Sequence, residues 1–154
     1  MDTMARLRPT VLRPRRVLLA AGPAAAAAAR RHVQAAIFAW DIPVDPDVAV
    51  LLTSELVTNA IRHEPGDSVL LTIACICGQL RVDVHDTSCS PPVPLEARPD
   101  AEAGRGLMLV ATLSTDWGYH RTSGGKAVYF TLAFQAEPGE DARPRPVGDR
   151  TWVR

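Results

Sequence analysis

Residues 46–62 spread apolar side chains around most of a helix and leave one narrow polar stripe. No other stretch restricts this chain so strongly. Asp45-Pro46 opens the helix with an acidic cap and a first-turn proline, whose missing N–H is not needed there. Val48, Ala49, Val50, Leu51, Leu52, Leu56, Val57, Ala60 and Ile61 then cover its surface, so it must be largely buried. Glu55, Asn59 and His63 recur every four residues and share the remaining stripe. Two readings are open. The stripe is either a thin solvated face with i,i+4 contacts, or the wall of a cavity. In a cavity an ionised carboxylate is costly unless it is partnered or has a function.

The rest of the chain supplies a sheet for that helix to cover. Residues 17–20 read as a strand and 24–40 as a helix, with Val33, Ala36, Ile37 and Trp40 on one stripe. Arg13, Arg15 and Arg16 before a short apolar run resemble an export signal. That run is interrupted by Gly22-Pro23 and leads straight into Arg30-Arg31-His32, which favours strand, turn and helix. Residues 69–76 are almost continuously apolar and read as a buried strand. Residues 80–86 alternate and read as its hairpin partner. Residues 87–103 carry prolines, serines and acids without periodicity, a length of loop that suits a lid or binding loop. A helix over 106–113 follows, then a hairpin of 115–122 and 126–134 about Ser123-Gly124-Gly125, with Val128, Phe130, Leu132 and Phe134 on one face.

This order predicts an α+β domain over 11–135, with helices on one face of a mostly antiparallel, mixed sheet. Residues 1–10 read as a flexible Arg-rich start and 136–154 as a disordered tail. With 47% hydrophobic and 22% charged residues, 154 residues suffice for one core. The 17 basic and 17 acidic side chains cancel, so no overall field draws the chain to nucleic acid or an anionic membrane. No apolar run reaches the roughly 18 residues needed to cross a bilayer. Cys75, Cys77 and Cys89 cannot all pair, which suggests a reducing, cytoplasmic setting. Cys75 and Cys77 on one strand face, with His85 and Cys89, make a formal four-ligand set. None of these residues has the turn spacing of a zinc site, so small apolar cysteines are the better reading.

Two further features do not fit a bland core. Asp86 ends the apolar face formed by Leu80, Val82 and Val84, while Arg81, Asp83 and His85 share the other face. A carboxylate on the core side suits a buried donor such as the exocyclic amine of a base. It also suits an Asx turn into Thr87-Ser88. Gly104-Arg105-Gly106, ahead of Leu107, places two glycines at a helix start where exposed N–H groups attract phosphate. A dinucleotide fingerprint fails because Leu109 stands at the third glycine, and no P-loop or GxSxG elbow is present.

Together these pieces point to a nucleotide, and they carry a resemblance. ELVTNAIRH (55–63), DTSCSPPVP (86–94) and GRGLMLVATLSTDWGYHRTSGGKAVYF (104–130) resemble the anti-sigma-factor serine kinases, a branch of the GHKL ATPases. The resemblance implies a Bergerat-type two-layer α/β sandwich with Mg·ATP held beside the helices. It implies that Asn59 ligates Mg²⁺ and that Glu55 is the general base. Asp86 would take the adenine amine, and Gly104 and Gly106 would bring N–H groups to the phosphates. Arg62, His63, Arg105 and Leu107 would complete the nucleotide contacts. The implied partners are a sigma factor and an antagonist phosphorylated on Ser or Thr, in a protein that forms a homodimer. The chain departs from the family in two places. Ser88, Cys89, Ser90 and two prolines follow Asp86 where glycines are usual, and Gly125-Lys126 stands where a Gly-Thr pair often helps to bind the base. A non-catalytic module that binds ATP and sequesters a partner is the alternative from another class, and a secreted or structural protein is a third.

Overall fold

The computed structural model describes residues 12–63, 66–86 and 102–134, with side chains throughout except at 12–13, 63 and 102–105. In chain order the elements are β1 (Leu12–Ala20), α1 (Ala25–Trp40), α2 (Pro46–His63), β2 (Ser68–Ile76), β3 (Gln79–Asp86), α3 (Glu102–Leu113), β4 (Asp116–Thr122) and β5 (Gly125–Ala133). The five strands form one sheet in the order β1-β2-β3-β5-β4, and each described pairing is antiparallel. The fold is α+β, a sheet with its helices packed on one face. The Arg-rich start, Cys89, most of the 87–103 loop and the tail fall outside the described residues.

Alternation builds the two layers. Leu80, Val82 and Val84 of β3 stand opposite Leu132, Phe130 and Val128 of β5, and all six are buried on the face that meets the helices. Leu71, Ile73 and Val69 of β2 continue that face, and Val33, Ala36, Leu52, Leu56 and Val57 close it from α1 and α2. Side chains of this size contribute about 1.5–3 kcal/mol each when fully buried. The helices are therefore held chiefly by this layer.

Caps and turns follow local chemistry. Asp45 accepts the Asp47 N–H at 2.9 Å and starts α2. Asp41, with φ of 49°, ends α1, and the Ile42 N–H reaches back to the Ile37 carbonyl at 3.3 Å. Cys77 (φ 51°) and Gly78 (φ 72°) form the two-residue turn between β2 and β3, the primed geometry that tight hairpins prefer. Cys75 is buried on the core face while Cys77 is exposed in the turn. The two thiols therefore do not share a strand face, which removes the pair on which the four-ligand set was built.

Boundaries shift modestly. β1 begins at Leu12 rather than residue 17, and an irregularity between Leu12 and Arg15 brackets Pro14 on this edge strand. At the other edge β4 exposes Asp116, His120 and Arg121. The largest shift is in α3, which starts at Glu102, four residues before the expected Gly106. On the outer sheet face Arg81 forks onto Asp83 at 2.9 and 3.0 Å and lies 3.9 Å above the Tyr129 ring. That fork pushes the Arg81 pKa up and explains why Asp83 is buried on a face expected to be polar.

Candidate functional site

The Glu55 part of the polar stripe on α2 faces α3. Buried Leu52, Leu56, Val57 and Ala60 fix the helix against the sheet, which leaves Glu55 half-buried and Asn59 buried, one turn apart. The Asn59 Oδ1 is buried and has no hydrogen-bond partner among the described residues. An orphaned buried acceptor is unfavourable by about 1–3 kcal/mol, and Ser114 Oγ is in the same state among the described residues. A neutral amide oxygen is a hard donor suited to Mg²⁺. Of the two readings of the stripe, a buried Asn59 is at odds with a thin solvated face.

Gly106 meets this stripe from α3. A Cβ at Gly106 would collide with the Glu55 Oε2, and would lie 3.4 Å from Cδ and 3.6 Å from Cβ of the same side chain. The absence of a side chain thus makes room for a carboxylate. Because α3 starts at Glu102, Gly104 falls in its first turn, where N–H groups lack helical partners. Gly106 lies four residues after Glu102, where the N–H belongs to the helical ladder. The expectation that both glycines stand at the helix start is corrected for Gly106, whose visible role is close approach to Glu55. Leu107 is buried in the core, so its side chain packs and only its backbone remains for a ligand.

Asp86 and Lys126 form the second part of the site. They stand directly opposite each other across β3 and β5, on the core face, at the end of β3. Lys126 Nζ lies 3.5 Å from Asp86 Oδ2, with the two side chains only 5% and 3% exposed. Thr87 and Ser88, on which the Asx-turn alternative depends, lie outside the described residues. Arg62 is exposed on the last turn of α2 and has a bonding partner of its own. The side chains of His63 and Arg105 fall outside the description. Sequence reasoning noted Lys126 only as a departure from a Gly-Thr pair and did not place it with Asp86. The signal that could have found it is an isolated lysine at the head of an otherwise apolar strand face.

The chain matches the family model for the histidine kinase-like ATPase domain over residues 19–132. No curated protein matches it. Among solved structures it is similar to the RsbU and RsbW domains of Rv1364c from Mycobacterium tuberculosis. That similarity has 20% sequence identity and a TM-score of 0.59, and covers 79% of this chain and 32% of that one. The chain thus spans about a third of the length of that structure, and at such identity the likeness is one of fold.

Proposed function

We propose, for a chain that belongs to the histidine kinase-like ATPase domain family, that it is an ATP-binding regulator with Mg²⁺-dependent protein kinase activity. Its acceptor would be a serine or threonine of an antagonist protein, and its second partner a sigma factor. The resemblance of the 55–63, 86–94 and 104–130 segments to anti-sigma serine kinases supports these partners, a homodimer and a cytoplasmic setting. Among the described residues no helix is long and apolar enough to cross a membrane.

The observation that carries the reading is the orphaned Asn59 Oδ1 one turn from Glu55. Asn59 would hold Mg²⁺ through that oxygen. Gly104 would offer a first-turn N–H to phosphate, and Asp86 would accept from the base amine. When bound, Mg·ATP supplies the phosphoryl group and the cation that screens its charge. The chain's own chemical task is small, since phosphoryl transfer depends mainly on positioning and charge neutralisation. Glu55 would accept the proton that the acceptor hydroxyl loses as its oxygen bonds to phosphorus.

Glu55→Gln tests this assignment, because Gln keeps the shape and loses the basic charge. Mg·ATP affinity measured by calorimetry should hold within a few-fold. Phosphorylation of a cognate antagonist should fall by about 10²–10⁴-fold. Transfer at the parent rate would show that Glu55 is not the base. A parent protein that binds Mg·ATP yet transfers nothing to a verified partner would instead be a non-catalytic binding module.

A further inference from the structure

His85 and His120 lie on the sheet face turned away from the helices. His85 of β3 and His120 of β4 both pair with Ala127 of β5, the strand between them. The three residues therefore form one row across the sheet, and their side chains point to the same side. Two strand spacings amount to about 9.5 Å, yet the two imidazole centroids are only 6.4 Å apart. The rings converge above the small methyl of Ala127, which is fully buried although it faces away from the core. They meet edge-on, with an interplanar angle of 89°. His85 is half-buried, while His120 is exposed on the edge strand.

We propose that His85 and His120 form a two-histidine site for Zn²⁺ or a similar late first-row divalent ion, tying β4 to β3 across β5. Imidazole is the ligand such ions favour. Zn–N bonds of 2.0–2.1 Å place two coordinated rings about 5 Å apart at their centres. Closure thus asks for a shift of about 1 Å, which the exposed His120 side chain can supply. The Thr72 Oγ1 lies 3.4 Å from His85 Nε2. An oxygen at the second ring nitrogen is the kind of partner that orients a ligating histidine. With the Nε2 proton directed there, the lone pair for the metal is on Nδ1. Among the described residues no third His, Cys, Asp or Glu completes the set, and Asp83 in the next row is held by the Arg81 fork. Water fills the remaining positions, so the site is open and exchangeable. Mg²⁺ is a hard ion that takes oxygen ligands, so this pair does not compete for the cation of Mg·ATP. The proposal stands apart from the nucleotide reading.

The test titrates Zn²⁺ into the full, nucleotide-free chain, with affinity read by calorimetry and the histidine ring signals followed by NMR. The His85 and His120 ring signals should shift together as Zn²⁺ is added, and Mg²⁺ at the same concentration should move neither. His85→Gln and His120→Gln should each weaken Zn²⁺ binding at least about tenfold, the loss that follows even when only an outer-shell partner of a metal ligand is removed. Cys77→Ser and His32→Gln, both at exposed positions, should bind Zn²⁺ as the parent does. Zn²⁺ that leaves both ring signals unmoved overturns the proposal. So does parent-like affinity in either histidine variant. Loss of binding in Cys77→Ser alone would place the metal on the exposed thiol and overturn it as well. The parent ring signals need no variant, so they decide the question even where His85→Gln does not fold.

Discussion

Gly106 of α3 lies so close to the carboxylate of Glu55 on α2 that a methyl group at position 106 would overlap Oε2. The atom in the way is the tip of a flexible side chain, not backbone. The contact therefore controls where the carboxylate sits more than it controls how the helices pack.

Gly106→Ala should separate those two effects. Alanine is favoured over glycine inside a helix by about 0.8–1.0 kcal/mol, and the Glu55 carboxylate can swing aside to make room. The melting temperature should hold or rise by a few degrees. Phosphoryl transfer should fall by about 10²-fold, the order of loss that a misplacement near 1 Å produces. A clear drop in melting temperature with unchanged transfer would make Gly106 a packing residue alone.

Asn59→Leu should act in opposite directions on the free and the ligand-bound protein. Leucine keeps the branched outline of asparagine with bulkier methyl ends, and removes an acceptor that has no partner among the described residues. The nucleotide-free protein should gain about 1 kcal/mol in urea denaturation. The Mg²⁺-dependent part of any stabilisation by ATP should vanish. Persistence of that Mg²⁺ dependence would move the metal away from Asn59.

At Asp86 the structure changes what a conservative substitution should do. Read as a turn cap, Asp86 would tolerate asparagine almost silently. Paired with buried Lys126, Asp86→Asn leaves an uncompensated ammonium and should cost about 3–5 kcal/mol. Asp86→Leu combined with Lys126→Met should return stability to near the parent while base recognition stays lost. Denaturant midpoints of the single and double variants decide it. A silent Asp86→Asn would mean that the pair is not held in solution.

His85 gives the fold a pH response away from the site. Its ring is half-buried on the outer sheet face, with Thr72 Oγ1 3.4 Å from Nε2 and the His120 ring edge-on at 6.4 Å. Burial pushes its pKa below the usual histidine value, helped by His120 and Arg16 and opposed by Asp83 and Asp86. The folded state therefore binds the proton less readily than the unfolded chain. The neutral ring's contribution is complete above about pH 6.5 and is lost as the pH falls from there toward the folded value. Melting temperature should decline less steeply in His85→Gln than in the parent between pH 7.5 and 5.5. Parallel curves would show that His85 titrates alike in both states.

The helices and strands were legible because their periods are strong. The α2 stripe needs only spacing and residue type, and alternation in 80–86 places Asp86 on the apolar face of its strand. Two features of the site were not legible, for different reasons. The role of Gly106 depends on where α3 begins, and a glycine-arginine-glycine run after a long loop suggests a start that Glu102 in fact provides. An acid at that position is favourable in a first turn, and that was the available clue. The Asp86–Lys126 pair depends on the register between β3 and β5, strands separated in sequence by α3 and β4. No local pattern encodes a register across such an interval. Burial of Asp83 was missed for a related reason, since its shield is an Arg81 fork stacked on Tyr129 from the neighbouring strand.

The outer strands of the sheet also limit how other chains can join it. On β1 the Pro14 ring has no N–H to offer, the ladder is irregular there, and Arg16 projects into solvent. On β4 exposed Asp116, His120 and Arg121 put charge and bulk along the rim. Both margins thus carry the features that discourage a foreign strand from zipping on, the first step toward fibrillar aggregation. A binding partner is correspondingly steered toward side chains on the helices or the faces, and away from backbone augmentation of the sheet.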